Sequence, residues 1–227
     1  MHDFNEGVTL KLGRRLTTID RLISDAYADI WDCCCDHGLL GAQLVQRRAA
    51  DTVHFVDCVP NITQDLEKKL KRYLPFQHNP DISQWQVHCA DTAELILGNK
   101  GKQLVIIAGV GGELCIQLLA SLLSQNQQHF ELILCPVHHQ FELRQFLIKH
   151  NINLISEQLI CENRRYYEVL HLTTGQAKPI SLVGQEMWQL DELDHQDYLA
   201  KTIQHYQKLK LNQAHPALAA YQALLTR

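Results

Sequence analysis

Five short apolar runs, Ala28 to Cys34, Thr52 to Asp57, Trp85 to Cys89, Leu104 to Ala108 and Phe130 to Cys135, alternate with stretches of helical periodicity. That alternation constrains the chain more than any other feature, because it predicts a parallel, doubly wound α/β sheet. The pattern then changes. Asn153 to Gln158 and Arg165 to Leu172 also read as strands, but only the polar segment Cys161-Glu162-Asn163-Arg164 joins them. So short a connection permits an antiparallel pair and no crossover.

With 227 residues and 46% hydrophobic content, the chain can bury one substantial core. The expected organisation is a sheet domain over residues 1–174 and a linker with a helical hairpin over 175–227. Leu12, Leu16, Ile19, Leu22 and Ile23 recur at helical spacing, with Lys11, Arg14, Arg15 and Arg21 largely on other faces. A basic amphipathic helix is therefore expected over residues 9–23. Leu190, Leu193, Leu199, Ile203, Tyr206 and Leu209 predict a long helix from Met187 to Lys210, and Pro216 opens a shorter one reaching Leu225. Between sheet and tail, Gly175 to Gly184 reads as the linker.

Composition narrows the function classes. No apolar run approaches the roughly 20 residues that span a bilayer, and the N-terminus has no hydrophobic signal core, so a cytoplasmic protein without a membrane partner is expected. Of eight cysteines, Cys33, Cys34 and Cys35 are adjacent and the rest are scattered through apolar surroundings. This fits reduced, buried thiols, and without a pair of CxxC motifs no metal is expected. The net charge of −4 offers no overall attraction to nucleic acid, so RNA affinity must come from local basic groups. Three exist: Lys11, Arg14, Arg15 and Arg21; Arg47 and Arg48; Lys68, Lys69, Lys71 and Arg72. No feature sets an oligomeric state, and a monomer is compatible with the sequence.

In a sheet of this kind a nucleotide-like ligand binds beyond the carboxyl ends of the strands. The first strand runs into Asp32 and then Asp36-His37-Gly38-Leu39-Leu40-Gly41; the second ends at Asp57; the third is followed by Ala90-Asp91. A carboxylate at the end of the second strand can accept hydrogen bonds from ribose hydroxyls, and one after the third can accept from an adenine amino group. The fourth strand runs into Ala108-Gly109-Val110-Gly111-Gly112, whose glycines allow a ligand close to the backbone. Singly each acid reads as a turn former or helix cap; together at successive strand ends they read as a binding site. No GxGxxG follows the first strand and the closing hairpin is antiparallel, which disfavours a dinucleotide-binding dehydrogenase. Five parallel strands closed by such a hairpin is the layout of class I S-adenosylmethionine-dependent methyltransferases, a Rossmann-like seven-stranded sheet.

The chain also resembles the bacterial tRNA (adenine(22)-N1)-methyltransferases, the TrmK family, over nearly its whole length. The resemblance lies in Lys11-Leu12-Gly13-Arg14-Arg15-Leu16, in Asp32 with Asp36-His37, and in Ile107-Ala108-Gly109-Val110-Gly111-Gly112. Pro136, Leu143-Arg144-Gln145-Phe146-Leu147, Tyr167-Glu168-Val169-Leu170 and the two-helix tail extend it. It implies an S-adenosyl-L-methionine site formed by Asp32, Cys34, Asp36, His37, Gly38 and Asp57, together with Cys58, Ala90, Asp91, Ala108, Gly109 and Val110. Its implied substrate is tRNA, with Lys11, Arg14, Arg15, Pro136, His138, His139 and Arg144 as expected RNA contacts. Asp36 is the expected catalytic carboxylate, stabilising positive charge on the methylated base, with His37 orienting groups around it. The chain departs from the family pattern at Cys34-Cys35, where Gly-Ser is usual, at Leu39, where an aromatic is usual, and at Cys135-Pro136-Val137, where Gln-Pro-Asn is usual. Methyl transfer to rRNA, to a protein or to a small molecule, and a non-catalytic RNA-binding role, are the alternatives these departures keep open.

Overall fold

The computed structural model describes residues 11–24, 26–75, 82–209 and 213–226. The chain opens with α1 (Arg14–Leu22), then β1 (Tyr27–Cys33), α2 (Leu39–Gln46), β2 (Ala50–Asp57), α3 (Pro60–Tyr73) and β3 (Gln84–Cys89). A 3-10 turn at Thr92–Glu94 leads to β4 (Gln103–Ala108), α4 (Gly112–Gln125), β5 (Glu131–Cys135) and α5 (Gln140–Lys149). The hairpin β6 (Asn153–Glu162) and β7 (Arg165–Thr173) follows, then the two-residue β8 (Lys178–Pro179), α6 (Leu193–Lys208) and α7 (Pro216–Gln222).

Among the described residues these strands form one eight-stranded sheet in the order β3-β2-β1-β4-β5-β7-β6-β8. Strands β1 to β5 are mutually parallel, while β7 runs antiparallel to β5, and β6 antiparallel to β7 and β8. The order reverses between β1 and β4, so the loops after those two strands splay apart and leave a crevice. Strand β4 is buried from Gln103 to Ile107, which explains why it reads as a continuous apolar run. One apolar layer, containing Ile30, Phe55 and Ile106, lies under α1, α2 and α3; the other, containing Val105, Leu119 and Leu147, lies under α4 and α5.

The structure revises several boundaries. Helix α1 begins at Arg14, residues 11–13 are not helical, and residues 9 and 10 lie outside the described residues. The hairpin strands run on to Glu162, so the turn is only Asn163-Arg164, both at positive φ (52° and 62°), as a tight two-residue hairpin turn requires. The expected linker contains β8, which pairs Lys178 with Leu154 and adds a strand to the expected seven. Helix α6 starts at Leu193 rather than Met187, because the preceding residues fold back: Trp188 Nε1 donates to Val183 O at 2.7 Å and Gln189 N to His195 Nδ1 at 3.1 Å. Lys210, the expected end of that helix, lies outside the described residues. Among the described residues, no helix is long and apolar enough to cross a membrane.

Candidate active site at the switch point

The loop after β1 is held in an unusual conformation by its own chemistry. Cys34, Asp36 and Gly38 all have positive φ (57°, 47° and 65°), a state costly for the two residues that carry a Cβ. Two carboxylates brace the loop. Asp32 Oδ2 accepts from Gly41 N at 3.0 Å, and Asp57 Oδ2 accepts from Asp36 N at 3.4 Å while its Oδ1 accepts from Val59 N at 3.0 Å. Gly41 is required for a packing reason, since a Cβ there would lie 2.3 Å from the Phe55 ring. The loop therefore presents Asp36 and His37 to solvent on a rigid base, His37 Nδ1 lying 3.5 Å from Asp36 Oδ1.

Across the crevice, Gly109 follows β4 at φ 90° and donates its N–H to Cys135 O at 3.0 Å. His138, in the loop after β5, lies so close to Gly111 that a Cβ there would meet its ring at 2.3 Å. The β4 and β5 loops are thus interlocked, and His139 Nδ1 pairs with Glu113 at 3.2 Å. The resulting cleft has a volume of about 500 Å³ and is lined by Asp32, Cys34, Asp36, His37, Gly38, Ala108, Gly109 and Val110 from the expected cofactor set. Arg15, Leu16, Leu39, Val137, Arg165 and Tyr167 are among the residues that complete its wall.

The remaining sequence candidates are placed differently. Cys58, Ala90 and Asp91 sit just past the ends of β2 and β3, outside this wall, and Asp91 Oδ1 caps the 3-10 turn by accepting from Ala93 N at 2.9 Å. Asp57 lies at the base of the β1 loop. Lys11 and Arg14 are exposed, the latter donating to Cys161 O at 3.0 Å. Arg15 turns inward: its guanidinium lies 5.1 Å from the Tyr167 ring centroid and its Nε is buried with no hydrogen-bond partner among the described residues. Two expected RNA contacts are corrected. Pro136 is buried and Arg144 is 0% exposed, so neither presents a surface to RNA; acids on β6 and β7 draw Arg144 into the interior. Of the other basic groups, Arg47 clamps Asp20 at 2.6 Å, while Lys68 and Lys71 pair within their own helix, as a solvated face does. Sequence reasoning missed Arg165 and Tyr167 as site residues, having read Arg165 only as the start of a strand and Tyr167 only as part of that strand and of the family resemblance.

Burial dominates the acid–base chemistry here. It pushes the Asp32 carboxyl from 3.8 up to about 7, against the lowering effect of the Gly41 N–H, and pushes the Cys34 thiol up to about 11 and Cys115 and Cys135 up to about 12. Cys34, Cys115 and Cys135 are therefore thiols at neutral pH. Among the described residues, all eight are free and no group of three His, Cys, Asp or Glu side chains is placed to hold a metal ion.

Residues 12–170 match the family model of the methyltransferase domain. The chain belongs to this methyltransferase family. Among solved structures, the methyltransferase is similar to Bacillus subtilis TrmK, an m1A22 tRNA methyltransferase, at 20% identity and a TM-score of 0.71, over 96% of this chain and 95% of the other. TrmK from M. capricolum, in complex with S-adenosyl-homocysteine, aligns at 18% identity and a TM-score of 0.66, over 95% of both chains. Streptococcus pneumoniae Sp1610, in complex with S-adenosyl-L-methionine, aligns at 19% identity and a TM-score of 0.68, again over 95% of both. Comparison with curated protein sequences gives no match. The class I methyltransferase fold expected from the sequence is thus the fold of this chain.

One prediction concerns Asp32. Its carboxyl keeps a proton to about pH 7 in the folded methyltransferase but loses it near 3.8 when unfolded. Between those values the unfolded chain binds fewer protons, so this residue's contribution to stability falls as pH rises from about 4 to 7 and is level above. Asp32→Asn removes that loss, less the cost of an amide with an imperfect partner. Its melting temperature should exceed that of the parent by about 3–6 °C at pH 8 and fall below it near pH 4, where only the amide cost remains. A difference that does not change with pH in calorimetric scans contradicts this.

Proposed function

We propose that this chain is an S-adenosylmethionine-dependent tRNA methyltransferase acting on N1 of adenine, the base at position 22, in the cytoplasm. The observation that carries this reading is the cleft, in which glycine-bearing strand ends of β1 and β4 adjoin an exposed Asp36–His37 pair. The TrmK structures, aligned over 95% or more of each chain, support the substrate.

The residues fit the cofactor. Gly109, at φ 90° and facing Arg15 of the cleft wall, permits close approach of backbone to ligand, while Gly38, at φ 65°, lets the β1 loop pack against Leu66 and Phe55. Asp57 retains lone pairs beyond those used by two backbone N–H groups, enough for ribose hydroxyls, and Asp91 keeps one carboxylate oxygen for an adenine amino group. Arg15, whose Nε in the cleft wall has no hydrogen-bond partner among the described residues, is a cation available to the methionine carboxylate. When bound, S-adenosylmethionine supplies an electrophilic methyl group.

The protein's own work is placement. Adenine N1 has an in-plane lone pair, so alignment matters more than a strong base. A paired N1 is inaccessible, which requires an unpaired or flipped base. Methylation leaves positive charge on the base, and the Asp36 carboxylate at the cleft lip stabilises it, with His37 holding its orientation. Asp36→Asn should therefore lower kcat by about 10- to 100-fold while leaving cofactor affinity within about threefold. Near-normal turnover at unchanged affinity removes that role from Asp36.

The function itself is tested by incubating the protein with labelled S-adenosylmethionine and total tRNA, then analysing nucleosides. Labelled 1-methyladenosine is the expected product, absent from tRNA already carrying that modification. Label in another nucleoside, label in protein, or no transfer overturns the reading.

A further inference from the structure

A second cavity, of about 520 Å³, lies beside the first, between the β5–α5 loop, the start of β7 and helix α6. The two share Val137, Arg165 and Tyr167 in their walls, so they adjoin. The sequence spacing of α6 builds one side: Tyr198, Lys201, Thr202 and His205 recur at i, i+3, i+4 and i+7, while Leu199 and Ile203 turn to the core. Tyr198 stands against Tyr166 of β7 with ring centroids 5.2 Å apart, and Tyr198 is backed by Trp188 at 5.6 Å. On the opposite side, His138 and His139 meet edge to face at 4.5 Å, His139 held at φ 60°.

The charges are placed at the rim. Lys201 Nζ lies 5.2 Å from the Tyr166 ring centroid and pairs with Asp197 at 2.6 Å, which neutralises part of its charge. Arg165, exposed at the junction of the two cavities, adds a second cation. Aromatic faces with cations at the edge are what a single-stranded nucleic acid needs, because every base has a π-face and every linkage a phosphate. A volume near 500 Å³ falls within the range of built small-ligand sites, about 300–1,000 Å³.

We propose that this cavity receives the nucleotide adjoining the target adenine, its base stacked among Tyr166, Tyr198 and His205 and its phosphate held by Arg165 and Lys201. The inference rests on the RNA-methyltransferase reading. It goes beyond it by assigning the C-terminal helix a direct part in choosing which unpaired RNA segment enters the cleft. Stacking of one base is worth about 1–3 kcal/mol by alanine substitution, which corresponds to at least about a fivefold change in affinity.

The test uses the full chain with a fluorescent adenine-containing single-stranded hexaribonucleotide, and tRNA as methyl acceptor. His205→Ala and Lys201→Glu, both at exposed positions on α6, should each raise the hexanucleotide Kd and the tRNA KM by about fivefold or more. Cofactor affinity should remain at the parent value and kcat within about twofold, and the melting temperature within about 4 °C, since the contacts that Lys201 loses are exposed. Thr202→Trp, which fills the cavity, should act in the same direction. Unchanged hexanucleotide affinity in all three variants, or no binding by the parent, overturns the inference. Binding that the variants weaken, in a protein that methylates no tRNA, leaves this site standing and overturns the proposed function instead.

Discussion

Asp57→Ala should weaken S-adenosylmethionine binding about 100-fold while the protein stays folded, as read by titration calorimetry and a melting curve. Two effects act together. The carboxylate accepts from Asp36 N at 3.4 Å and from Val59 N at 3.0 Å, so its removal frees the loop that Asp36 and His37 stand on. Its remaining lone pairs are those the ribose hydroxyls would use, and a hydrogen bond to a charged group contributes about 1.5–3 kcal/mol. Two such bonds lost outright would exceed 100-fold, but rehydration of the freed N–H groups and of the ligand returns part of the difference. Asp57→Asn keeps one acceptor oxygen and should fall between the two. A loss of less than tenfold in the alanine variant would mean that β2 contributes no ligand contact.

The sheet was legible because its central strands, β2, β4 and β5 above all, are buried on both faces. The expected β2, β3 and β4, Thr52 to Asp57, Trp85 to Cys89 and Leu104 to Ala108, end where the structure ends them. Strand ends are where ligands bind in such a sheet, so Asp32 and Gly109 could be picked from position and Asp36 from the family resemblance, and the structure brings them to one cleft. What the sequence hides is determined by partners distant in the chain. Strand β8 is two residues long and exists through pairing to Asn153 and Leu154, with no apolar alternation to announce it. Arg15 and Arg144 look alike in a helical pattern, each a basic residue on an amphipathic helix. One turns onto Tyr167 and the other inward to Glu157 and Glu168, and no local spacing distinguishes those outcomes. The second cavity was invisible for the same reason, since the aromatic face of α6 gains meaning only against β7.

The largest stability effect should come from Arg144→Ala. Its guanidinium is 0% exposed and reaches Glu168 Oε2 at 2.7 Å, Glu157 Oε2 at 2.8 Å and Ser181 O at 3.1 Å. Burial alone would favour losing its proton, but the two carboxylates overcome this and hold it above the ordinary arginine range. Tyr198 Oη donates to Glu168 Oε1 at 2.8 Å, so the same cluster ties α5, β6 and β7 to helix α6. Removing the cation leaves two buried carboxylates facing each other, a loss of about 3–5 kcal/mol out of the 5–15 typical of a whole domain. Urea unfolding at pH 7 should report that deficit. Arg144→Met combined with Glu157→Gln and Glu168→Gln should recover most of it, since an uncharged, well-filled cluster carries no unpaired charge. The pH dependence separates the two contributions. If unpaired charge is responsible, acid neutralises the carboxylates and the deficit of Arg144→Ala shrinks as pH falls from 8 toward 5. A deficit that stays level over that range would assign the loss to the missing side-chain volume instead, and would remove the ion cluster as the element that docks α6.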